Sequence, residues 1–200
     1  MQAQHIAGTA RVDGDEVVVR VPATSRSAVP GLTAPGRLSF IDWEPHLHAD
    51  GLSHSAAVRR AAALPAGTLV VRDEAPARTY AVLDDAPALT GGGLTHVRAG
   101  TELGRPAVSY ELTREGRAAM RRLTGTLARR GAARGSLQHF ALVLDDQVLS
   151  LPEFDPHLNR SAVTAGDIEG GFTMREARDL SALLRSGPLP VARLIPVAGP

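Results

Sequence analysis

Two stretches in the second half of the chain have apolar residues spaced three and four apart, the spacing of a helix with one buried face. They cover residues 114–130 and residues 172–185. The first follows Thr113, a residue type that favours the N-cap position. In the second, Thr173 and Glu176 have the spacing of a capping box. We therefore predict two long helices in this half of the chain.

Short runs that are rich in β-branched residues, or that alternate apolar and polar side chains, predict strands. They lie at residues 15–21, 37–43, 68–71, 80–83, 107–112, 140–144, 147–151 and 194–197. Two adjacent acidic residues, Asp145 and Asp146, predict the turn of a hairpin. Residues 53–64 predict a short alanine-rich helix, residues 44–51 a polar loop, and residues 90–93 a flexible break.

The order of elements from residue 107 to residue 197 is β-α-β-β-α-β, which is the order of a ferredoxin-like domain. We therefore predict an α+β fold of antiparallel sheets with helices on one face, whose C-terminal half is ferredoxin-like. We expect two lobes, residues 8–104 and residues 105–198. A hinge between them would lie at Gly100, Gly104 and Pro106.

Composition excludes several classes of protein. The 22 basic residues, all of them arginine, nearly balance 21 acidic ones, which argues against a dedicated nucleic-acid binder. The absence of cysteine excludes disulfides and thiolate metal sites. No apolar run reaches the roughly 18–20 residues that span a bilayer, and the first residues lack the pattern of a signal peptide. We therefore expect the chain as given to be soluble.

Histidine and carboxylate side chains are concentrated in one polar stretch. Its members are Glu44, His46, His48, Asp50 and His54. Imidazoles with this spacing on a loop can share a zinc ion with a carboxylate, so His46, His48 and His54 are candidate metal ligands. Histidines on a polar loop also serve only as solvated side chains. The stretch therefore leaves open a metal-binding domain or a metal-dependent hydrolase.

The first predicted helix is rich in arginine. Its basic residues are Arg114, Arg117, Arg121, Arg122, Arg129 and Arg130, with Arg134 just after it. Such a stripe contacts phosphates or an anionic membrane surface in some proteins, and in most it is a solvated face. We interpret the stripe as a solvated face.

Three segments resemble, in the same order, the first extracytoplasmic domain (P1) of SecD, a subunit of the Sec protein-export machinery. They are residues 105–116, 140–152 and 170–190, and residues 14–22, 36–40 and 86–91 are similar to earlier parts of that domain. The D-L-x-G-G stretch and the membrane helices of the family are absent, and Asp146 stands where the hairpin usually has glycine. We expect either an excised domain or a stand-alone relative from a high-GC, actinobacterial-type lineage.

The resemblance implies a non-catalytic extracytoplasmic domain that engages a translocating preprotein and assists its movement across the membrane. The implied partners are unfolded or translocating preprotein, SecF and the SecY complex, with no cofactor and no nucleic acid. The implied place is the extracytoplasmic side of the plasma membrane, with membrane contact only through segments absent from this chain. A freestanding scaffold that keeps the fold without the export role is a further alternative.

A groove for extended polypeptide needs apolar contacts near strand ends. We predict that it is lined by apolar residues and glycines placed in loops or at element ends, namely Phe140, Leu151, Pro152, Phe154, Gly170, Gly171 and Phe172. The competing interpretation is that Phe172 packs under the start of its helix and that Phe154 covers the sheet.

Overall fold

The computed structural model describes residues 9–13, 16–20, 36–72, 79–155 and 163–187. The chain divides into two compact units, one made of Met1–Pro35 and Leu189–Pro200 and the other of Gly36–Pro188. In the first unit, β1 (Thr9–Asp13) pairs with β2 (Glu16–Arg20) in antiparallel register. β2 confirms the strand predicted at residues 15–21, and the strand predicted at residues 194–197 lies outside the described residues.

The second unit contains the other described elements. In chain order they are β3 (Leu38–Asp42), α1 (Trp43–His46), β4 (Leu47–Leu52), α2 (His54–Ala62), β5 (Thr68–Arg72), β6 (Tyr80–Asp84), β7 (Leu89–Thr90), β8 (Leu94–Glu102), β9 (Arg105–Leu112), α3 (Arg114–Arg134), β10 (Gln138–Leu144), β11 (Gln147–Ser150), β12 (Glu153–Phe154), β13 (Ala165–Glu169) and α4 (Met174–Ser186).

These strands form two sheets. The larger has the order β4-β6-β5-β11-β10-β3-β7, with β12 also paired to β10, and the smaller has the order β13-β9-β8. Every pair is antiparallel except β5 and β11, which meet in parallel where Arg72 lies opposite Gln147. The predicted α+β class with antiparallel sheets is confirmed.

The ferredoxin-like arrangement does not hold in the described part of the chain. β9 pairs with β8 and β13 in the small sheet, whereas β10 and β11 belong to the large sheet. β9 therefore has partners on both edges, and β10 has β3 on one edge and β11 on the other. With these edges occupied, the strands of the predicted β-α-β-β-α-β order do not share one sheet.

Both sheets and both long helices contribute to one main core. The helices supply Ala119, Met120, Leu123, Leu127, Ala177, Leu180 and Leu184. The strands supply, among others, Leu38, Phe40, Val108, Tyr110, Leu112, Leu142, Leu144 and Ile168. Because side chains alternate along a strand, the opposite face of β3 and β10 carries Ile41, Ala141 and Val143, which belong to a second, smaller core.

The predicted lobe boundary falls inside this unit. Leu103 and Gly104, with φ of 48° and 80°, form the turn between β8 and β9, and two positive φ values are typical of a tight hairpin turn. Gly100 lies opposite Ala107, and Pro106 lies opposite Thr101. The residues expected to form a hinge are thus in a paired hairpin, and the chain divides after Pro35 instead.

The loop predicted at residues 44–51 is wrong. α1 and β4 occupy it, and β4 pairs with β6, with Leu47 opposite Leu83 and Leu52 opposite Tyr80. The strand forms because a distant partner takes up its backbone hydrogen bonds, and a local polar pattern does not contain that information.

The break predicted at residues 90–93 is also wrong, because Gly91–Gly93 forms a turn of 3-10 helix against the start of α3. The Gly93 carbonyl accepts a hydrogen bond from the Thr113 N–H at 2.9 Å. A Cβ atom at Gly116 would lie 2.1 Å from the same carbonyl oxygen. The helix can approach the turn this closely only because position 116 carries no side chain.

Two glycines of α3 provide a matched test of this contact. Gly116→Ala should lower the free energy of unfolding by about 2–3 kcal/mol, because the added methyl group clashes with a backbone carbonyl. Gly125→Ala should raise it by about 0.5–1 kcal/mol, because the nearest atom to the new methyl group is 3.5 Å away and alanine is the better helix former. Urea unfolding of both variants measures the difference, and equal effects would contradict the proposed contact.

Candidate functional site

The candidate site lies where the hairpin of β10 and β11 ends. We call it the hairpin exit and define it as Leu151, Pro152, Gly170, Gly171 and Phe172. Between β11 and β12 the chain leaves the regular ladder. Leu151 is 40% exposed there, and Pro152 is half-buried.

The main-chain contacts of Pro152 hold this segment against β10. Its carbonyl accepts a hydrogen bond from the Phe140 N–H at 3.4 Å, and β12 then resumes the pairing with Phe154 opposite Gln138. Proline has no N–H to give to the ladder, so it suits a point where strand pairing is interrupted. The exposed leucine therefore sits on a segment that is anchored at both ends.

The glycine pair places the Phe172 ring beside the hairpin. A Cβ atom at Gly170 would lie 2.8 Å from the Leu149 carbonyl oxygen and 3.1 Å from the Phe172 ring. Phe172 is half-buried and packs against the main core, as expected for a residue just before a helix. The capping box of α4 is confirmed, since Thr173 and Glu176 bond reciprocally. The structure thus brings the segment after β13 together with the end of β11.

The two other predicted phenylalanines differ in exposure. Phe140 is half-buried and stacks on Phe40, with ring centroids 6.3 Å apart and planes 17° apart. Phe154 is 4% exposed and belongs to the main core. Phe154 lies opposite Gln138, whose side chain is on the core-facing side of β10. Residues directly opposite each other point to the same face of a sheet, so the Phe154 ring covers the sheet and does not line a groove.

Of the three histidines expected to bind metal, His46 and His48 share a partner, the Asp84 carboxylate, and His54 does not join them. His46 Nδ1 lies 3.3 Å from Asp84 Oδ2, and His48 Nε2 forms a hydrogen bond with Asp84 Oδ1. The His54 ring packs instead on Tyr80, with centroids 4.9 Å apart. Among the described residues no three His, Cys, Asp or Glu side chains are arranged to hold a metal ion, so the predicted site at His46, His48 and His54 is wrong there.

Glu44, the carboxylate that begins that polar stretch, belongs to a buried polar network near the C-terminal end of α3. Arg130 donates to both oxygens of Asp42 at 2.8 and 2.6 Å and to Glu44 Oε2 at 2.9 Å, and its Nε donates to Gln138. Glu44 Oε1 accepts a bond of 2.8 Å from the His139 N–H. The network fixes the first residues of β10, which pair with β12.

Sequence reasoning missed this network and placed Arg130 on a solvated face. Its side chain is only 15% exposed, and hydrogen bonding to Asp42 raises the pKa of the guanidinium above its ordinary value. Arg130 and Asp42 are 88 positions apart, so no local pattern links them. Asp84 was missed for the same reason, since it lies 36 positions from His48.

The model of the SecDF P1 head subdomain family matches residues 67–191. The chain belongs to this family. The resemblance to SecD noted in the sequence is thereby confirmed. No helix of the described residues in this P1 head chain is both long and apolar enough to cross a membrane.

Curated SecD and SecDF proteins are similar to this chain. The protein translocase subunit SecDF of Brucella abortus is 31% identical over 163 residues, which is 80% of this chain and 19% of that protein. The protein translocase subunit SecD of Elusimicrobium minutum is 33% identical over 132 residues, which is 65% of this chain and 25% of that protein. The P1 head chain thus spans about a fifth to a quarter of the length of these relatives.

A solved SecDF structure shares the fold. It is described as a membrane component that enhances protein export, and it superposes with a TM-score of 0.55 at 24% identity, covering 95% of this chain and 84% of that chain.

Removing the centre of the polar network should destabilise the protein. Arg130→Ala leaves the buried Asp42 carboxylate without its partner and should cost about 3 kcal/mol of unfolding free energy. The neighbouring Arg129→Ala removes an exposed arginine and should cost less than about 0.5 kcal/mol. Chemical denaturation of the two variants checks this, and similar losses would show that the network contributes little.

The contacts of Asp84 should appear in the pH dependence of stability. The His48 hydrogen bond lowers the pKa of Asp84 below its ordinary value of 3.8. Because the folded-state pKa is the lower one, the ionised carboxylate adds stability above the unfolded pKa, and this is lost as the pH falls through the folded pKa.

Asp84→Asn should therefore be less stable than the wild type at neutral pH, and the gap should close below about pH 4. Urea midpoints measured from pH 6 downward give the profile. Asp50→Asn is the control, because Asp50 is exposed and, within the described part of the chain, accepts a hydrogen bond only from its neighbour Gly51. A gap that stays constant with pH would contradict the assignment.

Proposed function

We propose that this domain is a non-catalytic extracytoplasmic part of a SecD-like export subunit and that its hairpin exit contacts translocating preprotein. The observation that carries the proposal is an exposed leucine next to a half-buried proline, on a segment whose backbone is paired to β10, with the half-buried Phe172 ring near the end of β11. Membership of the P1 head family and the translocase relatives support the export role.

The chemistry of the hairpin exit suits an extended chain. Unfolded polypeptides present apolar side chains of varied size, so a surface that holds them weakly needs apolar contact area without a deep, shaped pocket. Leu151 and Phe172 supply that area. Gly171 carries no side chain and leaves the backbone beside Phe172 open to an approaching chain.

The partners that follow from this proposal are unfolded or translocating preprotein and the Sec translocon, with SecF and the SecY complex as components. The domain would act at the extracytoplasmic side of the plasma membrane. Its contribution is to hold and guide a polypeptide, and no step of covalent chemistry is assigned to its residues.

Site-specific photo-cross-linking tests the proposal. A benzoylphenylalanine at position 151 should label an unfolded preprotein severalfold more strongly than one at position 58. Val58 is the matched control because it is an exposed aliphatic residue of similar accessibility, 46% against 40%, on α2. Leu151→Asp should weaken preprotein binding with little change in stability, because the side chain is largely outside the core.

Equal labelling at positions 151 and 58 would overturn the assignment of the hairpin exit. Val58→Asp is the control variant for Leu151→Asp. If Leu151→Asp binds preprotein as well as Val58→Asp does, the assignment is likewise overturned.

A further inference from the structure

α3 concentrates the positive charge of the chain. It carries seven arginines and one glutamate, whereas the rest of the chain carries fifteen arginines and twenty acidic residues. The near-neutral total therefore conceals a basic helix on an otherwise acidic chain. A separation of charge on this scale gives the domain a preferred orientation in an electric field.

Two of the seven arginines are used inside the fold. Arg117 donates to the Leu112 carbonyl at 2.6 Å, and Arg130 pairs with Asp42. The other five are exposed, and none forms an ion pair with another described residue; they are Arg114, Arg121, Arg122, Arg129 and Arg134. The unpaired charge is thus directed to solvent.

Four of these five lie on one side of the helix. At about 100° per residue, Arg114, Arg121, Arg122 and Arg129 fall within an arc of about 100°, opposite the buried residues of α3. We call this set the arginine face. On the same side of the helix, between Arg114 and Arg129, stand the small residues Ala118 and Gly125. The face is therefore convex and has neither a groove nor an apolar anchor.

We propose that the arginine face docks this domain on the surface of an anionic lipid bilayer. Guanidinium groups form paired hydrogen bonds with phosphate, and the arginine face, from Arg114 to Arg129, extends over about 22 Å of helix. A convex row of cations over that length matches a flat array of phosphates. The rest of the second unit, with eleven arginines and seventeen acidic residues, is repelled by the same surface, which favours one orientation of that unit.

The mode of contact is adsorption without insertion. An amphipathic helix that enters a bilayer buries its apolar face there, but the apolar face of α3 is already packed in the main core. Binding must then come from charge alone. It should therefore weaken as the ionic strength rises to about 0.1 M and above, where the screening length falls to about 10 Å or less.

Two other anionic partners fit this surface less well. An acidic polypeptide would gain no apolar contact from a face made of arginine and small residues. A nucleic acid offers phosphates, but the arginine face carries no aromatic side chain on which a base could stack. We therefore assign the face to a lipid surface, a role that goes beyond the proposed preprotein contact.

Vesicle flotation tests the proposal with the full chain. Vesicles of phosphatidylcholine with phosphatidylglycerol should bind the chain, and vesicles of phosphatidylcholine alone should not. Each arginine near the surface is worth about fivefold in partitioning, so the triple variant Arg121→Gln, Arg122→Gln and Arg129→Gln should bind about 100-fold more weakly. Raising the salt should release the wild type.

The control is a triple variant of equal net charge, Arg59→Gln, Arg60→Gln and Arg98→Gln, whose arginines are exposed on α2 and β8. It should bind much more tightly than the α3 variant. Three results would each overturn the proposal: an equal loss of vesicle binding in both triple variants, vesicle binding that does not depend on phosphatidylglycerol, and capture of an acidic peptide or a DNA duplex without capture of vesicles.

Cross-linking of preprotein at position 151 should be unchanged in the α3 variant, which separates this test from that of the preprotein contact.

Discussion

The second unit depends on a close backbone contact at the start of α3. The helix meets the 3-10 turn so closely that the position of a Gly116 side chain is filled by the carbonyl of Gly93. This contact sets how deeply α3 lies against the sheets, because Met120 and Leu123 follow within two turns and enter the main core. A bulkier residue at position 116 would lift the N-terminal end of the helix and open that core.

The opposite end of α3 is fixed by a different kind of interaction. Arg130 reaches two carboxylates and an amide from three separate elements. Burying these charges is costly unless every group finds a partner, so the network favours a single placement of the helix end and of the residues that start β10. Since β12 pairs with those same residues, the position of the hairpin exit follows from the position of the helix.

Local patterns predicted the elements far better than their arrangement. The capping box at Thr173 and the N-cap at Thr113 are complete within four residues, and both are confirmed. β4 and β13 depend on partners elsewhere in the chain, and no pattern in their own residues predicted them. The ferredoxin-like arrangement failed for the same reason, because an order of elements does not state which strand edges are already occupied. In the candidate site, sequence indicated Leu151 and Phe172, but only the sheet register shows that Phe154 faces the core.

The two surfaces proposed for this domain have opposite chemistry, and α3 explains why both occur in one fold. A helix that fills a core with one face leaves its other face free of packing constraints, so that face tolerates repeated arginine. The apolar contacts at the hairpin exit need the reverse, a rigid support that keeps Leu151 exposed and Phe172 only half-buried. The anchored α3 gives that support to β10 from inside the unit. Weak apolar contact with a moving chain and electrostatic contact with a surface can then occur together, because no residue belongs to both.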